Sequence, residues 1–310
     1  MTRRFLRGCD FLSLSPVSGE ELLFMVEEAL RLKNEGTKGF HPLSGKVIAL
    51  LFEKPSTRTR VSFEVAVLRL GGYPMFLSSS ELQIGRGETL EDTARVLSRY
   101  VDGLVVRTFA QSRLEELAQA ASIPVINALT DECHPCQALA DMLTIYENKG
   151  VLEGLKLTYL GDGNNVANSL MRAGTKLGME VFIATPEGKS PYARIVEECK
   201  VYCDISGAKL ILTSDPSEAA KDADILYTDV WVSMGSEDEI SQIEEIFIPF
   251  QLNENVLELA KSDAIVMHCL PAHRGLEITD EVIDGNHSVV WEQAENRLHA
   301  QIALLAMIYG

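Results

Sequence analysis

The chain has 310 residues, of which 46% are hydrophobic and 24% charged, and its formal net charge is −17. This length exceeds what one hydrophobic core usually holds, so two domains are expected. A strongly acidic chain is a poor partner for nucleic acid, because binding a phosphate backbone requires positive charge. No apolar run approaches the roughly 20 residues of a membrane span, and no apolar signal-peptide core follows the basic residues 1–4. We therefore expect a cytoplasmic enzyme with no nucleic-acid and no membrane partner.

Hydrophobic patterns predict strands that alternate with helices along the chain. In the first half, helical patterns over residues 20–33, 90–100 and 114–120 accompany strands at 47–52, 73–77, 103–107 and 123–126. A helix at 139–146 bridges the two halves. In the second half, strands at 155–160, 180–184, 209–212, 224–228 and 264–268 alternate with helices at 166–177, 191–203 and 216–221, and a final helix covers 292–309. This alternation predicts an α/β protein with two tandem, doubly wound parallel-sheet domains joined by the bridging helix.

The first predicted strand is followed by a helix start that is rich in hydrogen-bond donors. Its sequence is Ser56-Thr57-Arg58-Thr59-Arg60. Unpaired amides in the first helical turn and the helix dipole both favour an anion, and arginine adds planar donors that suit phosphate oxygens. The segment predicts a phosphate site, with a solvated basic helix start as the alternative.

Polar residues fall at the strand ends, where open α/β sheets bind their ligands. In the first half these residues are the arginines and hydroxyls of the helix start, then Arg107 and His134. In the second half they are Asn164-Asn165, Asp229 and His268-Cys269. The first set suits a phosphorylated small molecule and the second a ligand with an amino group. The two sets together indicate transfer from an anionic donor to a cationic acceptor.

Several of these residues also fit other readings. Gly161-Asp162-Gly163 follows a strand, but Val166 replaces the third glycine of a dinucleotide fingerprint, which disfavours a dehydrogenase. Asp229 could cap a turn, His268 could be a core histidine, and Cys269 a buried hydrophobic residue. Cys133-His134-Pro135-Cys136 has the spacing of a redox motif, and the remaining cysteine spacings match no standard zinc pattern, so neither a redox nor a metal site is favoured.

Taken together, the motifs resemble those of the aspartate/ornithine carbamoyltransferase family. The resemblance covers essentially the whole chain, in the family's order. The acidic loop that begins at Asp229 and the Cys269-Leu270 pair resemble the ornithine branch. The segments that carry the resemblance are Ser56-Thr57-Arg58-Thr59-Arg60, His134-Pro135-Cys136-Gln137, Asp162-Gly163-Asn164-Asn165, Asp229-Val230-Trp231-Val232-Ser233-Met234-Gly235 and His268-Cys269-Leu270-Pro271.

The resemblance implies a role for each matching residue. The catalytic residues would be Arg58, Arg107, His134, Cys269 and Arg297. Carbamoyl phosphate would be bound by Ser56, Thr57, Arg58, Thr59, Gln83, Arg107, His134, Pro135, Cys136, Gln137, Cys269, Leu270 and Arg297. L-Ornithine would be bound by Asn165, Asp229, Ser233 and Met234. The carbamoyl phosphate-binding domain would span residues 1–147 together with the C-terminal helix 291–310, which packs back on it, and the ornithine-binding domain 148–290.

The implied reaction gives L-citrulline and phosphate, in arginine and citrulline metabolism, and requires no cofactor and no metal. The family also implies a homo-oligomer, either a trimer or a multiple of trimers, in which Gln83 serves a neighbouring subunit's site. Within the family, putrescine or an N-acylated ornithine is the alternative acceptor, although Asp229 and Ser233 argue for a free α-amino acid head group. Outside it, a phospho-ligand binding protein without turnover is the rival class.

Overall fold

The computed structural model describes residues 5–78, 87–231 and 245–310. Over these residues the chain divides into two compact units. Unit 1 comprises the described residues within 1–17, 24–143 and 296–310, and unit 2 those within 18–23 and 144–295. The C-terminal residues therefore return to the first unit, as the resemblance implied. Within the described ranges, no helix is long and apolar enough to cross a membrane.

The strands and helices follow the predicted alternation. The strands are β1 (Val47–Phe52), β2 (Tyr73–Ser78), β3 (Gly103–Arg107), β4 (Val125–Leu129), β5 (Lys156–Leu160), β6 (Glu180–Ala184), β7 (Lys209–Thr213), β8 (Ile225–Thr228) and β9 (Ile265–His268). The helices are α1 (Gly19–Glu35), α2 (Thr57–Arg69), α3 (Leu90–Leu97), α4 (Gln111–Ala120), α5 (Pro135–Lys149), α6 (Asn165–Lys176), α7 (Ala193–Ser206), α8 (Pro216–Ala220), α9 (Glu254–Leu257), α10 (Asp280–Ile283) and α11 (Val290–Tyr309).

Both sheets are parallel, and each changes winding direction once. The strand order is β2-β1-β3-β4 in unit 1 and β7-β6-β5-β8-β9 in unit 2. The direction of winding reverses between β1 and β3 in the first sheet and between β5 and β8 in the second. Such a reversal leaves a crevice at the carboxyl ends of the two strands, which is where open α/β sheets bind ligands. The α/β, doubly wound prediction is confirmed.

The cores lie between the sheets and their helices. All five residues of β3 are buried, as expected for a parallel strand covered on both faces. In unit 1, Ala49 and Leu51 of β1 pack with Leu104 of β3 and with Leu114 and Leu117 of α4. In unit 2, the core cluster joins strand residues to the short helices that follow them, and it contains Leu160, Leu226, Val266, Ala219, Val256 and Val282.

Some helix bounds differ from the predicted ones for identifiable reasons. Helix α5 begins at Pro135, four residues before the predicted start, because Pro135 and the polar Gln137 interrupt any apolar period in its first turn. Helix α7 ends at Ser206, three residues beyond the predicted end, where Gly207 takes φ 78° and terminates it. The helices α9 and α10 have four residues each, which is too short for a helical period to be visible.

Candidate active site

Helix α2 begins at the carboxyl end of β1 with its first turn capped by a side chain. Ser56 is the N-cap residue, and its hydroxyl accepts a hydrogen bond from the amide of Thr59 at 3.3 Å. The side-chain oxygen thereby satisfies one of the amides that a helix start leaves without an intrahelical partner. No acidic residue lies in this first turn, so nothing there opposes the binding of an anion.

The two arginines of this turn have different surroundings. Arg60 donates from Nε to Glu64 Oε1 at 2.9 Å, and its guanidinium lies 3.7 Å from the ring centroid of Phe76. Arg58 is half-buried and makes no hydrogen bond or ion pair with the residues that the structure describes. Arg58 is therefore the arginine available to an anion, while Arg60 is held along the helix.

A buried arginine organises the rest of the unit 1 site. Arg297, on α11, is 4% exposed. Its Nη2 donates to Thr59 Oγ1 at 2.8 Å, and its Nη1 donates to Gln137 Oε1 at 2.6 Å and to His134 Nε2 at 3.3 Å. Gln137 in turn donates to the buried Asp141 at 2.8 Å. Helices α2, α5 and α11 thus converge on one guanidinium; below, Arg58, Thr59, His134, Gln137 and Arg297 are called the cationic cluster.

The histidine of this cluster is held neutral. Burial lowers the pKa of His134 well below its usual value, and the charges of Arg297 and Arg107 lower it further. Because Arg297 donates to Nε2, the neutral ring carries its proton on Nδ1. Arg107 ends β3 and is itself buried. The cluster therefore offers hydrogen-bond donors of two kinds, cationic and neutral.

The two cysteines at the start of α5 are structural. Cys133 and Cys136 are free thiols, and both are buried. Cys136 donates to the carbonyl of Asn127 at 3.3 Å, and burial raises the pKa of its thiol to about 12. A thiol with so high a pKa is a poor nucleophile, so the redox reading of this motif is not supported.

In unit 2, a carboxylate joins the ends of three neighbouring strands. Asn164 caps α6 after β5, and its Nδ2 donates to Asp229 Oδ2 at 2.9 Å. Cys269 follows β9, and its thiol donates to Asp229 Oδ1 at 2.9 Å. Asp229 follows β8 and is 5% exposed. Since β5, β8 and β9 are neighbours in the sheet, their carboxyl ends bring these side chains together.

A second carboxylate lies close to Asp229. Burial, the largest effect, and repulsion from Asp229 raise the pKa of Asp162 to about 6. The positive charge of Lys189 opposes this rise. Asp162 precedes Gly163, whose backbone passes so close to Lys189 and Ser190 that an added Cβ would lie 2.4 Å from Ser190 carbonyl carbon. Two adjacent carboxylates suit a cationic ligand. Asp162, Asn164, Asp229 and Cys269 are called the acidic cluster below.

His268 is a fully hydrogen-bonded core histidine, which was one of the alternatives. Its Nε2 lies 3.1 Å from Glu277 Oε1, and its Nδ1 accepts from the amide of Leu270 at 2.8 Å. The liganding atoms of Asp229, His268 and Cys269 lie within 4.8 Å of one another, a grouping that could hold a metal ion. Both ring nitrogens already have partners, so these residues fit hydrogen bonding better than metal binding.

The structure thus groups most of the predicted residues into two clusters, one in each unit. Pro135 and Cys136 lie in the first turn of α5, beside the cationic cluster, and Leu270 follows Cys269. Gln83, Ser233 and Met234 lie outside the described residues. Sequence reasoning did not select Asp162 as a site residue, although it stands within the recognised Asp162-Gly163-Asn164-Asn165 segment.

Comparison with known proteins matches both halves of the chain to one family. The carbamoyl-P binding domain of the aspartate/ornithine carbamoyltransferase family matches residues 9–147, and its Asp/Orn binding domain matches residues 153–308. The ornithine carbamoyltransferase of Anoxybacillus flavithermus is 55% identical over 305 residues, covering 98% of this chain and 97% of the relative. The anabolic enzyme of Pyrococcus furiosus is 52% identical over 307 residues, covering 98% of each chain.

Solved structures give the same result. The structure of the Pyrococcus furiosus ornithine carbamoyltransferase matches with a TM-score of 0.95 and 53% identity, covering 98% of each chain. That of the anabolic enzyme from Campylobacter jejuni matches with a TM-score of 0.91 and 42% identity, covering 96% of this chain and 97% of that one. The fold and the two matching domains are those of a group-transfer enzyme. The chain belongs to the aspartate/ornithine carbamoyltransferase family and is a carbamoyltransferase.

Proposed function

We propose that the protein transfers the carbamoyl group of carbamoyl phosphate to the δ-amine of L-ornithine, giving L-citrulline and phosphate. The observation that carries this proposal is the presence, in one chain, of a cationic cluster around Arg297 and an acidic cluster around Asp229. The first suits a dianionic donor and the second an amine acceptor. The relatives at 52–55% identity that are named ornithine carbamoyltransferases support this choice of acceptor.

The start of α2 would hold the phosphate. Ser56, Thr57 and Thr59 contribute hydroxyl and amide donors, and Arg58 adds the positive charge that no described side chain neutralises. As the bond to the carbamoyl carbon breaks, charge grows on the phosphate oxygens, and Arg58 would stabilise that charge. Arg297 cannot move easily towards the phosphate, because Thr59 and Gln137 fix its guanidinium.

The neutral imidazole of His134 suits the carbamoyl carbonyl. Attack on the carbamoyl carbon converts its oxygen into an oxyanion, which fixed hydrogen-bond donors stabilise. The Nδ1–H of His134 is such a donor, and Arg107 supplies positive charge on the same side of the sheet, at the end of β3. Removing one donor of this kind typically lowers kcat by about 10²–10³-fold. Pro135, Cys136 and Gln137 would bind the same ligand from the first turn of α5.

The acidic cluster would hold the amino acid head group of ornithine. Both oxygens of Asp229 already accept one hydrogen bond each, and a carboxylate has about four acceptor positions, so an α-ammonium group can be added without displacing Asn164 or Cys269. Asn165, Ser233 and Met234 would bind the rest of the head group. Putrescine lacks this head group and would leave the carboxylate without a cationic partner.

The δ-amine must lose a proton before it attacks. With a lysine-like pKa near 10.4, the neutral amine lies roughly 4–5 kcal/mol uphill at pH 7. The Cys269 thiol donates to Asp229, so its Sγ would take the proton from the amine as its own proton moves to Asp229 Oδ1, which neutralises the carboxylate. Cys269 and Leu270 would also contact the carbamoyl group.

The domain assignment and the assembly are part of the proposal. Residues 1–147 with 291–310 would bind carbamoyl phosphate and residues 148–290 ornithine, in line with the two family domains. A homo-oligomer, a trimer or a multiple of trimers, is supported by exposed apolar side chains on α2 and on the edge strand β2, namely Val61, Leu68, Tyr73 and Met75. Gln83 would serve the neighbouring subunit. The six free cysteines fit a cytoplasmic enzyme.

The test is an assay with three acceptors in parallel. The protein is incubated with carbamoyl phosphate and L-ornithine, putrescine or N-acetylornithine, and the carbamoylated product is measured. We expect citrulline from ornithine alone. Product from another amine would refute the assignment of Asp229 as the head-group carboxylate, and no product from any amine would favour the binding-protein alternative.

Two arginines on one helix provide a matched pair of variants. Arg58→Ala removes the arginine assigned to the phosphate, whereas Arg60→Ala removes one that is bound to Glu64 and Phe76. We expect Arg58→Ala to lower kcat/KM for carbamoyl phosphate by at least about 10²-fold, since a charged hydrogen bond to the leaving group is lost. Arg60→Ala should remain within about threefold of the parent. Equal losses in both variants would contradict the phosphate assignment.

A further inference from the structure

Glu277 is a buried carboxylate that the proposed reaction does not use. It lies eight residues after Cys269, is 0% exposed, and belongs to the same unit as the acidic cluster. Burying a carboxylate is costly unless hydrogen bonds compensate for the lost water. The partners of Glu277 therefore indicate what the residue stabilises.

One oxygen of Glu277 binds both ends of the segment that carries Cys269. Oε1 lies 3.1 Å from His268 Nε2 and accepts the backbone amide of His273 at 2.5 Å. His268 precedes Cys269, and His273 follows it by four residues. The other oxygen, Oε2, is buried and accepts no hydrogen bond from any described residue, with His273 Nδ1 4.0 Å away. The contacts of this carboxylate are thus concentrated on one short loop.

The ring of His268 hydrogen-bonds both Glu277 and the backbone two residues further along the loop. Leu270 donates its amide to Nδ1, so the neutral ring must carry its proton on Nε2 and donate it to Glu277. The backbone amide of His268 donates to Gln293 Oε1 at 2.9 Å, which fixes the start of the loop. A chain of hydrogen bonds therefore runs from Glu277 through the imidazole to the backbone of Leu270.

Leu270 requires such support. Its φ of 57° lies in the left-handed region, which residues other than glycine rarely adopt. Such a conformation persists only when the surrounding contacts enforce it. Cys269 stands directly before this residue, and its thiol meets Asp229 at 2.9 Å. A change in the backbone at Leu270 would therefore shift the thiol away from the carboxylate.

We propose that Glu277 is a positioning residue, which holds Cys269 against Asp229 by hydrogen-bonding His268 and the amide of His273. The proposal rests on the proposed function for its effect on turnover, but not for its effect on the geometry of the Cys269 thiol. Hydrogen-bond reach, and not negative charge, is what the position requires. Glu277 itself touches neither substrate.

Two substitutions at Glu277 distinguish the effect of side-chain length from the effect of negative charge. Glu277→Asp keeps the charge but withdraws the carboxylate by about one C–C bond, roughly 1.5 Å, so it cannot serve both donors. Glu277→Gln keeps the length and an oxygen that accepts both hydrogen bonds, and its amide replaces the oxygen that has no donor. Glu198→Asp is the matched control, because Glu198 is another carboxylate of unit 2 that accepts hydrogen bonds, from Arg172 at 2.8 Å and from Tyr202.

Three quantities are measured on each full-length variant. They are kcat/KM for ornithine from citrulline formation, the rate of Cys269 alkylation by iodoacetamide from peptide mass spectrometry, and the affinity for inorganic phosphate by calorimetry. For Glu277→Asp we expect kcat/KM to fall by about 10–100-fold and Cys269 alkylation to accelerate by about tenfold or more. Phosphate affinity should not change, since the phosphate residues belong to unit 1. Glu277→Gln and Glu198→Asp should stay within about threefold of the parent in all three.

The inference is wrong if Glu277→Asp matches the parent protein in both turnover and alkylation, or if Glu277→Gln is impaired as strongly. Equal effects in Glu198→Asp would also overturn it, because they would show a general loss of stability. Absence of citrulline with the parent protein would refute the proposed function alone, and the alkylation rates would still decide the role of Glu277.

Discussion

Replacing Asp162 by asparagine should stabilise the ligand-free protein above pH 6. The carboxyl group is half-buried, and burial and repulsion from Asp229 outweigh the attraction of Lys189 and the hydrogen bond from the Gly163 amide. The folded protein therefore holds Asp162 in an unfavourable ionised state at neutral pH. Asparagine keeps an oxygen for the Gly163 amide and carries no charge.

The size of the effect follows from the pKa difference. The pKa rises from 3.8 in the unfolded chain to about 6 in the folded protein, which is about two units or about 3 kcal/mol. Between these values the folded state binds more protons than the unfolded state, so stability falls as the pH rises from about 4 to about 6 and is level above that. The stabilisation by asparagine should thus be nearly complete at pH 7.5 and about half as large at pH 5. In a unit of this size, about 3 kcal/mol corresponds to about 6–12 °C in Tm.

The assay is a pair of thermal melts at pH 5 and pH 7.5 without substrates, since a bound cation would mask the effect. Asp284→Asn serves as a control of opposite sign. Arg274 donates to Asp284 and lowers its pKa, so this carboxylate stabilises the fold at neutral pH and the contribution is lost as the pH falls. If Asp162→Asn has the same Tm difference at both pH values, or destabilises the protein at pH 7.5, the electrostatic reasoning about the acidic cluster is wrong. The same variant should bind ornithine more weakly, because one of two carboxylates is neutralised.

Three further predictions concern the two clusters. Arg297→Met should weaken the binding of inorganic phosphate by at least about tenfold, because Thr59, His134 and Gln137 lose their shared donor; unchanged affinity in calorimetry would contradict the role of the buried guanidinium. An NMR titration should find the pKa of His134 well below the usual histidine value of 6.5, since burial and the nearby arginines lower it, and a midpoint near 6.5 would contradict this. Cys269→Ser should change the pH profile of turnover, because a hydroxyl gives up its proton to Asp229 far less readily than a thiol does; an unchanged profile would exclude the thiol as the group that takes the proton from the amine.

The sheets and their ligand-binding edges could be predicted because parallel strands are short, apolar and buried on both faces. Such runs are visible in the sequence, and the polar residue after each run marks a carboxyl end. Arg107 and Asp229 were located in this way. The starts of helices were harder to predict. The first turn of α5 contains Pro135 and Gln137, and no hydrophobic period indicates a helix there.

The family resemblance assigned Arg58 and not Arg60 to the phosphate, but residue type and spacing alone could not separate two arginines of the same motif. Two residues along a helix correspond to a rotation of about 200°, so one points away from the other, and only the positions of Glu64 and Phe76 decide which is held. Glu277 was missed for a related reason. Its proposed positioning role depends on a loop that brings Glu277 back to His268. No periodic pattern in the sequence predicts that contact.

The cap at the start of α2 has a consequence for the enzyme between turnovers. When no anion is bound, the Ser56 hydroxyl accepts a hydrogen bond from the amide of Thr59, so the turn keeps its shape. A phosphate bound here as proposed would replace that hydroxyl oxygen with one of its own. A neutral analogue of phosphate would gain little from this exchange, because it would offer the Thr59 amide an uncharged oxygen, as the Ser56 hydroxyl already does. A carboxylate at position 56 could not diffuse away. The Ser56→Asp side chain would therefore compete with the phosphate for the same amide and act as an intramolecular competitive inhibitor.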